Sequence, residues 1–596
     1  MKNIFKNIFI LIIILKSSLF AENFEIEIEE KKLYNSHIWK SLLHINDDKP
    51  SINSKDFLLS FNNFSLKNEL ISNIEKIKTD KNYPCKFPAR YFWITKEFPS
   101  LKNDKNKCKE FDEYLEKTNL SSLDLIFVSE NIKNPSSMMG HVFFKINGIY
   151  QGKSRENAIS FFTILNHLNI PLLAYESMIK GMQGYFILSP YQKQIYTYVN
   201  EEERNVWEYK LNLTKEQQDL IYYHFWELKD IDITYFFTNF NCATIIDNML
   251  AITSENYYQE NPIFWTTPKN VINKANRFGL ISNTKMIPSL EWSLYMINDN
   301  LENEKIKNLK NMVDNQDIIK IEQLLNKQNT SELEIDFIEN YTKYSYLKND
   351  SMSSEIYEKI SSLYFEKNRN IIDFSNYKNP IYSIDNKQIS LGFTQIENKN
   401  FLNLNLLFAG NTIYDDNRNY FAENSLKIGN INILANKSDL VINKIDFYEM
   451  KSYLPINQTI SPLSTEFGIS YYSKLNNLYI NDSLVLKGGF GQTHKLSADI
   501  FFYYLSNFEA YLDKNQMYPI LKPKAGINIY EIYNMKTILQ YEYEYNLAKT
   551  NYSFHKTSFN QSINIKNKHR FDFSYNLMKN KRKESKTYNL IYNYFF

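Results

Sequence analysis

The chain has 596 residues, a formal charge of +2 and 43% hydrophobic residues. That length exceeds a single hydrophobic core and predicts roughly two to four domains. The near-neutral balance supplies no basic field for a phosphate backbone, so no nucleic-acid partner is expected. Positive stretches such as KNKRKESK (579–586) read as solvated loop.

The first 21 residues, MKNIFKNIFILIIILKSSLFA, have a basic start, an apolar run from Ile8 to Leu15 and a small residue, Ala21, before the acidic stretch ENFEIEIEE. This predicts a secretory signal peptide cleaved after Ala21. The run is too short for a retained spanning helix, and no lipobox cysteine follows. Without the three leader lysines the rest of the chain stands near −1.

Export changes the meaning of the three cysteines. Cys85 and Cys108 share one polar, loop-rich region (22–110) and can close a modest disulfide. Cys242 is then a free thiol in an oxidising compartment. By count alone, a buried structural cysteine is an equal reading.

Residues 111–299 have α/β texture. LDLIFVSE (123–130) and GYFILSPY (184–191) read as strands, and HVFFKING (141–148) as an alternating strand ending in a turn. KEQQDLIYYHFWELKDI (215–231) reads as a helix with Leu220, Ile221, Phe225 and Leu228 on one stripe. Residues 300–377 read as charged amphipathic helices, a spacer or cap without chemistry. From 378 to 596 about twelve alternating segments predict antiparallel β structure. In the last, TYNLIYNYFF, the residues Tyr588, Leu590, Tyr592, Tyr594 and Phe596 share one face. Alternation alone fits a soluble sandwich as well as a bilayer barrel; the aromatic terminal strand favours the outer membrane. KGGFGQ (487–492) reads as a turn or bulge.

Two residues could carry chemistry. Cys242 precedes ATIIDNMLAI, whose apolar positions have helical period, with Asn241 or Asn239 as N-cap. A cysteine in a first helical turn is expected to have a lowered pKa and to serve as a nucleophile. His141 follows Gly140 and opens a strand, the place for a base. Ser137, Ser160 and Glu227 are candidates to orient its second ring nitrogen. The remaining histidines, including His44 and the mid-helix His224, read as packing or surface residues. No CxxC, HExxH or P-loop occurs, so no metal and no cofactor is expected.

NPSSMMGHVFFKI (134–146) resembles the N-P-x-S-x-F-G-H-x-x-L-R segment of the Lnb N-terminal periplasmic domain family. Residues 180–217 resemble that family's next block, and HFWELKDIDITYFFTNFNCATIIDNML (224–250) its cysteine block. CKFPARYFW (85–93) and the region after 378 resemble the flanks of long Gram-negative members. The resemblance implies an α+β chain: a permuted papain- or NlpC-like α/β domain in which histidine precedes cysteine, a helical spacer and an antiparallel barrel-like domain. It implies Cys242 as nucleophile and His141 as base, acting on an ester or amide of a lipid or lipoprotein through an acyl-cysteine. Met139 and Lys145 depart from the family pattern, and a glycine or two is missing around Gly181–Gly184. The alternatives are a cell-wall peptidase or amidase, and a non-enzymatic outer-membrane protein that binds lipid or a partner.

Overall fold

A computed structural model describes residues 24–596 except 47, 104–106, 131–138, 165–169, 239, 261–264, 328, 349–351, 366–371, 421–422, 479 and 515. The leader expected over 1–21, Ser137 and Asn239 lie outside the described residues. The chain divides into two compact units. One comprises Met1–Phe127, His141–Gln194 and Tyr209–Asn283; the other Val128–Gly140, Ile195–Glu208 and Thr284–Phe596.

In the first unit the N-terminal helices and the α/β domain share one body. Helix α1 (Leu66–Thr79) starts where the Ser65 side chain accepts from the Asn68 N–H, and α2 (Pro88–Glu97) starts on a proline. Cys85 and Cys108 form the expected disulfide, with Cα atoms 5.2 Å apart. The sheet strands are β1 (Leu120–Val128), β2 (His141–Tyr150), β3 (Lys153–Thr163), β4 (Met182–Pro190), β5 (Val206–Leu211), β6 (Ile233–Tyr235) and β7 (Ile281–Ile287). Their order is β6-β4-β3-β2-β1-β5-β7. β2 is a correction to the expected alternation: Val142, Phe143 and Phe144 are all buried. The strand is central and covered on both faces, so it needs no polar side.

Helix α3 (Lys215–Leu228) begins with a Thr214/Gln217 capping box and buries the stripe Leu220, Ile221, Phe225 and Leu228. Helix α4 (Cys242–Leu250) buries Ile245, Ile246, Met249 and Leu250. α4 packs on the face of β2 and β3 that carries Phe144 and Phe161, whose rings meet Phe225 at 5.5 Å and Phe240 at 6.4 Å.

The second unit holds the helices Leu290–Asn300, Asn303–Asp314, Ile318–Asn326, Glu332–Leu347 and Ser354–Phe365. Their core contains Leu294, Ile306, Ile321, Phe337 and Ile338, and also takes in Ile460 from a barrel connection. Tyr295 donates to the Pro455 carbonyl at 3.2 Å, so these helices dock on the barrel and are not a free linker.

The barrel has twelve long antiparallel strands, from Gln388–Ile396 to Glu584–Phe595, and closes where the first pairs with the last (Gln388↔Phe595). Its exterior is apolar: Phe393, Phe490, Phe508, Tyr588, Leu590, Tyr592 and Tyr594 are exposed. Its interior is polar. Lys522 meets Glu509 at 2.9 Å and Glu544 at 3.0 Å, and Lys427 and Lys487 meet Glu449 at 2.8 and 2.7 Å. An apolar outside around a polar lumen is the outer-membrane β-barrel pattern. The turn or bulge expected at 487–492 is corrected: this segment lies within the strand Ser483–Ser497 and is paired throughout (Gly488↔Phe508, Gly491↔Leu505). Its glycines make room for neighbours, since a Cβ at 489 would fall 2.0 Å from the Asn507 side chain.

Candidate functional site

Cys242 is the first residue of α4, and Asn241 caps it. The Asn241 side-chain oxygen accepts from the N–H groups of Ala243 (2.8 Å) and Thr244 (3.1 Å). Its amide donates to the carbonyls of Phe237 (3.0 Å) and Thr266 (3.1 Å). One side chain thus satisfies the helix start and ties down the loop in front of the cysteine.

Four donors surround the Cys242 sulfur: the Tyr235 hydroxyl and the backbone N–H groups of Val142, Ala243 and Cys242 itself. All four favour the thiolate. Burial opposes them and is the largest influence, so the thiol sits above its ordinary range. The lowered pKa expected from the helix start is therefore not found. Desolvation of a sulfur this enclosed outweighs the helix terminus and its donors. The resting site holds a thiol.

The influence of the Val142 N–H places the sulfur at the start of β2, beside the peptide that follows His141. The His141 ring itself is not among the described hydrogen-bond partners of the thiol. It lies on the Phe143 side of the strand, with ring centroids 5.7 Å apart. Catalytic hydrogen bonds are often loose without substrate and tighten in the complex.

The pairing Phe144↔Ile159 puts Ser160 on the His141 face of the sheet. Its hydroxyl is buried and makes no hydrogen bond among the described residues. Gly140 has φ of 82°, a left-handed turn into the strand that glycine adopts without strain. Glu227 is a correction. It is buried on α3, where it pairs with His224 at 2.8 Å and accepts from the Arg90 N–H at 2.8 Å, and is not a partner of His141.

Two features escaped the sequence reading. One is Tyr235, on β6, whose hydroxyl lies against the Cys242 N–H and sulfur. It reads as an ordinary strand tyrosine, and only the chain reversal between β6 and α4 brings it to the thiol. The other is a buried relay behind α4. Asn248 of α4 donates to His44 Nδ1 (3.2 Å), His44 Nε2 bonds His224 Nε2 (2.9 Å), and His224 Nδ1 bonds Glu227 (2.8 Å). The chain of donors is complete with both imidazoles neutral. Arg90 lies 3.6 Å from Glu227 and 3.5 Å from Glu69, and these three side chains are fully buried.

Burial, then His224 and Arg90, hold His44 well below its ordinary pKa. Unfolded, His44 regains a value near 6.5, so below that pH the unfolded chain binds the extra proton. The charged and titratable groups around it are His224, Glu227, Arg90 and Glu69. Stability is therefore expected to fall as pH drops below about 6.5, by about 1.4 kcal/mol per pH unit from this group. Urea melts at pH 7.5 and 5.5 check this: His44→Asn, which tolerates the local φ of 50°, should flatten the dependence relative to the parent. Equal slopes would contradict it.

Residues 110–273 match the Lnb N-terminal periplasmic domain. Residues 31–97 and 378–595 match two domains of unknown function, DUF7843 and DUF7840. No curated protein matches the chain significantly. Among solved structures, the chain is similar to an anion-selective porin from Comamonas acidovorans at 10% identity, covering 33% of this chain and 59% of the porin, with a TM-score of 0.18. A loop-deletion mutant of OmpT, an outer membrane protein of Vibrio cholerae, is similar at 9% identity, with coverage of 35% and 97% and a TM-score of 0.21. The β domain of the Bordetella autotransporter BrkA is similar at 10% identity, with coverage of 36% and 100% and a TM-score of 0.21.

Proposed function

We propose that this chain, whose residues 110–273 belong to the Lnb N-terminal periplasmic domain family, is a cell-envelope acyltransferase or hydrolase. In this reading it works through an acyl-Cys242 intermediate on an ester or amide of a lipid or lipoprotein. The observation that carries the reading is the convergence on one sulfur of a helix start, the Tyr235 hydroxyl and the first peptide of the His141 strand. Export by the leader, with cleavage after Ala21, and a domain order of N-terminal module, thiol domain, helical segment and barrel belong to the same reading.

In the proposed reaction His141 takes the thiol proton as sulfur attacks the carbonyl carbon. Ser160 orients the imidazole. In this reading the tetrahedral oxyanion is held by the Cys242 N–H and the Tyr235 hydroxyl, two donors beside the sulfur. Collapse forms a thioester and breaks the carbonyl–oxygen bond of the ester, and His141 returns its proton to the departing alkoxide. An amine or water then attacks the thioester and frees the thiol. The raised pKa of Cys242 suits this order, because a neutral thiol that ionises only as its base engages is protected from oxidation at rest.

Tyr235→Phe is expected to reduce kcat by about 10²–10³-fold with little change in KM, because it removes one oxyanion donor and leaves the ring packed. Steady-state kinetics on a phospholipid check this; a pure KM effect would remove Tyr235 from the oxyanion site. The substrate class is tested by giving the full-length protein phospholipid vesicles and, separately, cell-wall stem peptides. Fatty acid and lysophospholipid, lost in Cys242→Ser, support the reading, whereas cleavage of peptide amides alone supports the cell-wall alternative. Burial of the thiol favours a second reading, a lipid- or partner-binding domain without turnover. It predicts no product from either substrate and an unchanged phenotype in Cys242→Ser.

A further inference from the structure

The first unit carries a concentrated apolar surface beside the cysteine loop. Ile164, Tyr175, Met178, Ile179, Tyr185 and Ile187 are between 39% and 70% exposed. Among the described residues of this unit, Ile26 and Ile149 are the only exposed large apolar side chains outside residues 164–188. A cluster of this kind on an otherwise polar body marks an interaction surface.

Its position is fixed by the site. The turn Glu176–Lys180 is pinned to the cysteine loop because Phe237 donates its N–H to the Ser177 carbonyl at 3.0 Å. Gly181 follows with φ of 84°, and a Cβ there would fall 2.2 Å from Thr234 and 2.7 Å from the Phe236 ring. The backbone therefore presses directly on the chain that connects Tyr235 to Cys242. Ser177 points inward, leaving Tyr175, Met178 and Ile179 outward. On β4, the pairings Phe162↔Tyr185 and Ser160↔Ile187 put Tyr185 and Ile187 on the His141 face of the sheet. The apolar surface thus runs from the outside of the turn to the face that holds the proposed base.

We propose that this surface docks on a lipid bilayer, seating the turn 175–180 in the interface and opening a path for an acyl chain towards Cys242. Three observations select a bilayer. The same chain carries a bilayer barrel, so a membrane is always within its tether. The exposed residue types match the barrel's own lipid-facing belt, where Phe393, Phe490, Leu590 and Tyr588 show similar exposure. Aliphatic and aromatic side chains followed by Lys180, 64% exposed and in a loose surface pair with Glu176 at 3.8 Å, suit an interfacial segment, where the long stem lets the ammonium exchange that pair for headgroups. The inference rests on the acyl-transfer reading for its purpose, but docking is measurable without turnover.

The test uses full-length protein in phosphatidylethanolamine/phosphatidylglycerol vesicles, in a Cys242→Ser background in which the remaining cysteines are disulfide-bonded. Spin labels are attached at Ile179→Cys and, as a control on the same unit, at Ile149→Cys. Collision rates with oxygen and with a water-soluble nickel chelate are then compared. The docking surface predicts an oxygen-to-nickel ratio severalfold higher at 179 than at 149. Equal, water-like ratios at both sites would overturn it. A label at 179 shielded from both reagents would also overturn it, since protein, whether a second copy or another chain, would then cover the surface. An immersed label, together with a parent protein whose Cys242 never acylates on the same vesicles, would keep the docking and remove the chemistry, so the two claims fail separately.

Discussion

Cys242→Ser is expected to lower acyl transfer by about four to six orders of magnitude, the loss seen when a nucleophile is removed from a cooperating set. Serine is the informative replacement. It is nearly isosteric, and Asn241 caps the start of α4 without the sulfur, so the fold is retained. Its hydroxyl is a far weaker acid than the thiol and does not ionise beside a single imidazole in a buried pocket. Release of fatty acid, measured with an unchanged thermal midpoint, separates lost chemistry from lost structure. Retention of more than a tenth of the parent rate would mean that another group forms the covalent bond.

Arg90→Met is expected to cost about 3–5 kcal/mol of unfolding free energy. Arg90 is fully buried between Glu69 and Glu227, with its Nη1 on the Phe57 carbonyl at 2.8 Å and its guanidinium 4.2 Å from the Phe57 ring centroid. Methionine fills much of the space but leaves two buried carboxylates facing each other without a cation. Because Glu227 also holds His224, and His44 holds Asn248 of α4, the damage reaches the cysteine helix. Urea unfolding at pH 7 gives the magnitude. Adding Glu69→Gln to Arg90→Met should recover part of the loss, and a loss below about 1 kcal/mol would show that the network is not a buried charge cluster.

Much of this architecture was legible in the sequence because the relevant signals are local. The period-two pattern of TYNLIYNYFF turns Tyr588, Leu590, Tyr592 and Tyr594 outward and buries Asn593, as alternation requires of a barrel strand. The cap at Asn241 and the stripe of α4 are equally local. What escaped depends on contacts between distant segments. His44 and His224 lie 180 residues apart, and neither has a neighbour in sequence that announces a partner. The sequence leaves Glu227 as one of three candidates beside His141 for the same reason: it is three residues from His224 on one helix, but nothing local says that Arg90 closes the pocket from the other side. The thiol's raised pKa was missed because a helix start is visible in sequence and the burial that outweighs it is not.

Acylation of Cys242 is decided by peptide mass spectrometry. Full-length protein is mixed with phosphatidylethanolamine vesicles, quenched in acid within one turnover and digested. The peptide containing Cys242 should gain the mass of one acyl chain, neutral hydroxylamine should remove it, and Tyr235→Phe should slow its appearance. Fatty acid released while the Cys242 peptide stays unmodified at every time point would contradict it.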